Sequence, residues 1–178
     1  MTSLPYGLRD VKIFPILAGV AGDGVDLPNA QTLSFEEAEE FTELRGDDKV
    51  VATRGQGPSV SWELGAGGID LTAYATMNGG TVTTSGTGAT LNKTYTKKST
   101  DSRPEFRVEG QAISESGGDF HAVLYRCKAT ESLSGELTDG EFWVTSASGS
   151  AIGLADTDVI YDFVENATAT AIVSDLTP

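Results

Sequence analysis

His121 is the chain's single histidine, so acid–base or nucleophilic chemistry near neutral pH has to begin there. Asp119 stands two residues away, and residues i and i+2 of a strand face the same way. The pair could therefore orient one another as the His and Asp of a hydrolytic triad do. Two neighbours on one strand do not supply the strained nucleophile a triad also needs, which leaves His121 as an ordinary strand residue. Cys127, the single cysteine, sits between Arg126 and Lys128, two cations able to lower a thiol's pKa. Within Leu124-Tyr125-Arg126-Cys127-Lys128 it reads instead as a small buried hydrophobe.

Three further patterns resolve the same way. Gly65-Ala66-Gly67-Gly68 resembles a phosphate-binding turn, but it lacks the dinucleotide-binding spacing and the Gly-Lys-Ser/Thr of a P-loop. Asp70 would also oppose a phosphate there, so the stretch is expected to be a strand-to-helix turn of unusual φ. Asp156-Thr157-Asp158 with Asp162 offers calcium oxygens without the glycine and distal glutamate of an EF-hand loop, and is expected to be a solvated acidic loop. Arg45-Gly46-Asp47 reads as a turn, and the acceptor tripeptides at Asn92 and Asn166 carry weight only in a secreted chain. No catalytic residue, metal site or cofactor is expected, and the chain is not expected to be an enzyme.

The elements that would position these residues are mostly strands. The 178 residues suit one domain spanning 1–178, and 21 glycines and 21 threonines favour strands joined by tight turns. Strands are predicted over 9–17, 50–54, 59–64, 81–85, 105–114, 120–129, 141–146 and 159–165, with 105–114 and 120–129 forming a hairpin. One helix of about three turns is predicted over 69–78, with Leu71, Tyr74, Ala75 and Asn78 at helical spacing, Asp70 in its first turn and Gly79-Gly80 as its stop.

Residues 33–45 admit two readings. As a helix, Ser34 and Glu37 form a capping box and Phe35, Ala38, Phe41 and Leu44 recur every third position. As a strand, Phe35, Glu37, Glu39, Phe41 and Glu43 share one face and Glu36, Ala38, Glu40 and Leu44 the other. The local signals lean to the helix. The turn-like Gly46-Asp47-Asp48-Lys49 and the strand former Val50-Val51-Ala52-Thr53-Arg54 lean to a hairpin.

Charge narrows the function classes. Twelve Lys+Arg against 26 Asp+Glu give a net charge of −14 and a pI near 4.3, which opposes stable binding of DNA, RNA or an anionic membrane. The distribution is uneven. Residues 86–103 hold Lys93, Lys97, Lys98 and Arg103 against Asp101 alone, and from Ala129 onward there are nine acids and no base. Segments 1–8 and 166–178 read as terminal arms, and 86–103 as a basic loop suited to docking on an acidic surface of another copy.

The strings Met1-Thr2-Ser3-Leu4-Pro5-Tyr6-Gly7-Leu8-Arg9-Asp10-Val11-Lys12, Phe35-Glu36-Glu37-Ala38-Glu39-Glu40-Phe41 through Asp47-Asp48-Lys49-Val50-Val51-Ala52, Val108-Glu109-Gly110-Gln111-Ala112-Ile113-Ser114 and Phe120-His121-Ala122-Val123-Leu124-Tyr125 resemble the major tail (tail tube) proteins of long-tailed, non-contractile bacteriophages, especially those of actinobacteria. The resemblance runs across nearly the whole chain. It implies a β-sandwich-like or barrel-like domain with a short flanking helix, long loops and terminal arms, forming homohexameric rings that stack into a hollow tube. It further implies that a hairpin at 33–54 lines the channel, with Glu36, Glu37, Glu39, Glu40, Glu43, Asp47 and Asp48 facing transiently passing DNA, and that Lys93, Lys97, Lys98 and Arg103 make inter-subunit contacts. The partners so implied are further copies of the chain, a tape measure protein, a tail terminator and tail tip or baseplate proteins. The location implied is the virion tail, assembled in the host bacterial cytoplasm, without membrane binding. An acidic β-rich binding module, carbohydrate-binding or capsid-decorating, is the alternative expectation.

Overall fold

Alternating residue patterns dominate the sequence, and the structure, a computed structural model describing residues 3–17, 19–68, 70–131 and 133–173, turns them into strands. In chain order these are β1 (Pro5–Leu17), β2 (Val20–Ala21), β3 (Val25–Asp26), β4 (Ala30–Gly46), β5 (Lys49–Gly67), β6 (Thr81–Ser85), β7 (Asn92–Thr96), β8 (Phe106–Ser114), β9 (Asp119–Lys128), β10 (Val144–Ala151) and β11 (Tyr161–Asn166), with one α-helix, α1 (Leu71–Asn78), after β5. The fold is mainly β. Nine strands form one antiparallel sheet in the order β2-β1-β8-β9-β10-β5-β4, with β3 added to β1 and β11 to β9, while β6 and β7 pair separately.

The sheet folds over on itself into a sandwich-like arrangement. Val60, Trp62, Leu64 and Ala66 alternate inward on β5 and meet Phe106 and Val108 of β8 and Val11 and Ile13 of β1. Trp62 and Phe106 pack edge to face with ring centroids 5.5 Å apart. The last strand of the path, β4, returns over β8 and β1: a Cβ on Gly110 of β8 would lie 2.5 Å from Leu33 of β4 and 3.5 Å from Leu8 of β1. Helix α1 closes one side of this core through Ala73 and Met77.

Several sequence expectations shift. Residues 5–8 are not an arm: Pro5 and Tyr6 pair with Ser114 and Ile113, so β1 starts four residues earlier than the predicted 9–17. The basic stretch 86–103 is not a loop, since β7 pairs with β6 across a turn holding a short 3-10 segment at Gly88–Thr90. The predicted strands over 50–54 and 59–64 are one strand, β5, whose pairing with β4 slips between Glu39 and Phe41. The predicted 141–146 strand begins later, at Val144, and runs on to Ala151 as β10; Glu141, Phe142 and Trp143 precede it, with the Trp143 ring folded over Gly135.

The helix is shorter than predicted, eight residues, because Asp70 is its N-cap and not part of its first turn: the carboxylate accepts from the Thr72 and Ala73 amides at 2.8 and 2.9 Å. Its buried residues are accordingly Ala73 and Met77, four apart, whereas Tyr74 stacks edge-on against Tyr95 of β7. Of the expected segments, residues 1–2 of the amino-terminal arm, residue 69 of the helix and residues 174–178 of the carboxy-terminal arm lie outside the described residues.

The crossing of β10 over β9 depends on one missing side chain. A Cβ on Gly149 would sit 2.0 Å from the Lys128 carbonyl oxygen and 2.9 Å from the Ala129 Cα, both backbone atoms that cannot swing aside. Gly149→Ala is therefore expected to cost about 1–3 kcal/mol of stability, read as a lower urea midpoint with an unchanged slope.

Candidate functional site

The outer part of the β4–β5 hairpin, residues 38–59, stands apart from the core that the inner part of β5 helps to build. Its tip, Asp47 and Asp48, has φ of +51° and +62°, the left-handed pair that a two-residue hairpin turn requires, and Gly46 pairs with Lys49 across it. This settles residues 33–45 as strand. The three-residue repeat of Phe35, Ala38, Phe41 and Leu44 loses to cross-strand pairing with β5, whose valines and Thr53 favour the sheet.

From Val60 inward, β5 has β4 on one side and β10 on the other. From residue 59 outward it has β4 alone. Residues 38–59 thus form a two-stranded ribbon reaching roughly 30 Å beyond the body at about 3.3 Å per residue. At its root, Phe35 packs against Tyr161 and Phe163 of β11, and the Tyr161 hydroxyl donates to Glu37 at 2.6 Å. Every residue from Ser34 to Gly46 is exposed, and Phe41, Leu44 and Val51 each leave more than three-fifths of their surface in solvent (62%, 64% and 65%). Phe41 and Leu44, three positions apart in unbroken register, stand on opposite faces of the ribbon.

The seven acids expected on this hairpin, Glu36, Glu37, Glu39, Glu40, Glu43, Asp47 and Asp48, all lie on it and all are exposed. They do not share one face. Glu36 lies opposite Ser61, whereas Glu37 and Glu39 lie opposite Val60 and Pro58 on the other face, and Glu40 falls in the register shift without a partner. Glu43 pairs with Arg45 at 2.9 Å on the surface, a contact of little stabilising value.

The four basic candidates separate into two kinds. Lys97 donates through Nζ to the Asn78 carbonyl at the C-terminus of α1, where a cation complements the helix dipole. Arg103 donates through Nη1 to the carbonyls of Ala129, at 2.8 Å, and Glu131. Both therefore brace their own chain. Lys93, opposite Thr84 on β7, and Lys98 are exposed and free to meet another molecule.

His121 belongs to a cluster that the sequence did not disclose. On the face of β8 and β9 turned away from the apolar core, His121 Nδ1 lies 2.8 Å from Glu109 Oε1 and its Nε2 2.9 Å from Asp119 Oδ2. Arg107 donates to Glu109 at 3.0 Å, and Gln111 to Asp119 at 2.6 Å. Arg107, Glu109, Asp119 and His121 are all buried. Carboxylates facing both ring nitrogens are matched by a ring with two N–H donors, the imidazolium form. Burial alone would lower the His121 pKa, but the bonds to Glu109 and Asp119 outweigh it and raise it. Burial likewise opposes the Asp119 charge, and donation from the Thr170 amide, His121, Gln111 and Asn166 outweighs it, holding the carboxyl far below its ordinary range.

Residues 167–173 cover this cluster. Asp119 accepts from the Thr170 amide at 2.8 Å, Gln111 donates to the Thr170 carbonyl at 2.7 Å, and Arg107 donates to the Val173 carbonyl at 3.1 Å. The described part of the expected carboxy-terminal arm is thus docked on the sheet. Asp119 does orient His121, but the ring's second nitrogen meets a carboxylate where a hydrolase would place its nucleophile. Cys127 is buried, and burial pushes its thiol far up, away from the reactive form. Asp158 closes a tight turn on Leu154 and Asp162 accepts from the Tyr125 hydroxyl, so these acids do not converge. Among the described residues no group of three His, Cys, Asp or Glu is placed to hold a metal ion.

No protein-family model matches the chain, and no curated protein matches it.

Asp119 makes acid stability testable. A carboxyl whose folded pKa is depressed contributes stability that is complete above its unfolded value, about 3.9, and is lost as pH falls below it. Asp119→Asn is expected to cost about 3–5 kcal/mol at pH 6, the range for breaking a buried charged pair, and to flatten the acid limb of a stability–pH profile measured by urea unfolding.

Proposed function

We propose that the chain is a structural, non-enzymatic subunit that polymerises with copies of itself into a tube, as the tail tube protein of a long-tailed bacteriophage. The observation that carries this reading is the ribbon 38–59, with large apolar side chains in water and both ribbon edges without a strand. An isolated two-stranded ribbon is marginal in water and its open edges are templates for pairing. Side-by-side pairing with ribbons from neighbouring copies supplies both edges at once, and a closed ring of six such ribbons leaves no edge exposed.

The charge fits the same role. Each copy contributes −14, and a ring of six carries six times that. A wall with Glu and Asp in excess repels phosphates, so DNA passes along it without being held. Because the acids occupy both ribbon faces, one set meets the channel and the other the outer body. Self-repulsion opposes assembly, and salt near 0.15 M, which shortens the screening length to about 8 Å, favours it. The tape measure, terminator and tip proteins are the partners that this role implies, and the virion tail is the location.

Negative-stain electron microscopy of purified protein is expected to show rings or hollow tubes, more abundant at about 0.15 M salt than at about 0.01 M. Replacing residues 39–58 with Asn-Gly, joining Ala38 to Ser59 where they already pair, is expected to leave a folded monomer that forms neither. Tubes from the shortened variant would remove the reading, and a monomer at every salt concentration would favour the binding module. Charge reversal at the two exposed lysines, Lys93→Glu with Lys98→Glu, is expected to reduce tube yield while leaving the thermal midpoint unchanged.

A further inference from the structure

We propose that Arg107, Glu109, His121 and Asp119 form a proton-operated clasp, which holds residues 167–173 on the sheet while His121 carries both ring protons and releases them when one is lost. The inference does not depend on the tube reading.

The covering segment has little apolar hold. Of residues 167–173 only Ile172 is buried, and it is the backbone that is gripped: Thr170 N–H by Asp119, the Thr170 carbonyl by Gln111, the Ile172 carbonyl by Lys12 at 3.4 Å and the Val173 carbonyl by Arg107. Its attachment is therefore set by the polar cluster beneath it. With the imidazolium in place, that cluster holds two cations and two carboxylates, which balance. Removing one ring proton leaves a net negative charge under the closed segment and turns a nitrogen lone pair toward a carboxylate less than 3 Å away. Burial makes such an imbalance costly, and lifting the segment admits the water that relieves it. A cavity of about 410 Å³ between Arg9, Asp10, Gln111 and residues 169–171 already runs along its flank.

The groups that face the cluster come from every neighbouring element. Strand β1 brings Lys12 and, opposite Gln111, Asp10. Strand β8 brings Arg107 and Glu109, strand β9 brings Asp119 and Tyr125, and β11 brings Asn166 and Asp162, which accepts from the Tyr125 hydroxyl. Burial and Asp162 push the Tyr125 hydroxyl up, so it stays protonated through neutral and mildly alkaline pH. Residues 167–173 carry no titratable side chain. An imidazole is the side chain among these types that ordinarily changes charge near neutrality. Its folded pKa is raised, so the stability that it contributes is complete below about 6.5 and is lost as pH rises through the raised value.

The experiment is amide hydrogen exchange at Thr170, corrected for the intrinsic pH dependence of exchange, alongside an NMR titration of the His121 ring on the same full chain. Thr170 protection is expected to fall as the ring loses its proton, by up to about tenfold for each pH unit that docking adds to the His121 pKa. Gly149, on β10 and remote from the cluster, is expected to keep its protection. In His121→Gln the fall should vanish. If that variant does not fold, the wild-type pair of titrations still decides: constant Thr170 protection through the ring's titration, or a ring still fully protonated at pH 10, overturns the clasp.

Discussion

A strand without a neighbour presents unpaired N–H and C=O groups along its edge, and among the described residues the strands of the ribbon 38–59 pair only with one another. That shortfall of backbone partners organises what else the molecule shows. The tip is closed by two aspartates in left-handed conformations, the root is pinned by Phe35 against β11, and the stretch between is held by the β4–β5 ladder and by side-chain bonds such as Gln56 Nε2 to Thr42 Oγ1 at 3.1 Å. The chain spends 22 residues (38–59) on a projection with no core of its own, and Phe41, Leu44 and Val51 stand in solvent on it.

The body is built to carry such a lever. One face of β8 and β9 contributes Phe106, Val108, Leu124 and Cys127 to the apolar core with Trp62 of β5, so the root of the ribbon is continuous with that core. The other face is also buried but polar, with Arg107, Glu109, Asp119 and His121 bonded to one another and to the backbone of residues 167–173. Ionic burial of this kind adds little net stability compared with an apolar face. Its effect is positional: it fixes where the carboxy-terminal segment lies, and it ties that position to a proton.

Much of the fold was legible from alternation. The inward set Val60, Trp62 and Leu64, the hairpin between β8 and β9, and the glycine stop after the helix all follow from period-two or capping patterns that operate locally. Residues 33–45 were not decided locally, because Glu-rich sequence with a threefold apolar repeat suits a helix until the partner strand 49–59 is considered. The helix start was misplaced because an N-cap and a first-turn acid look alike in sequence. The His121 cluster was invisible for a different reason. Arg107, Glu109 and Gln111 alternate with apolar residues as a solvent-facing set does, and only the return of residues 167–173, some 50 to 65 positions later, turns that face inward. The intrachain bonds of Lys97 and Arg103 are hidden likewise, since their backbone acceptors lie at a helix end and on a distant segment.

The central claim is that the ribbon's free edges are completed by other copies of the chain, and amide hydrogen exchange on residues 38–59 tests it most directly. The outward-facing amides of the ribbon should exchange with little protection in the dispersed monomer and become strongly protected on assembly, while the amides of β8 and β9 stay protected in both. Assembly that leaves the ribbon amides as exposed as they are in the monomer would contradict the account.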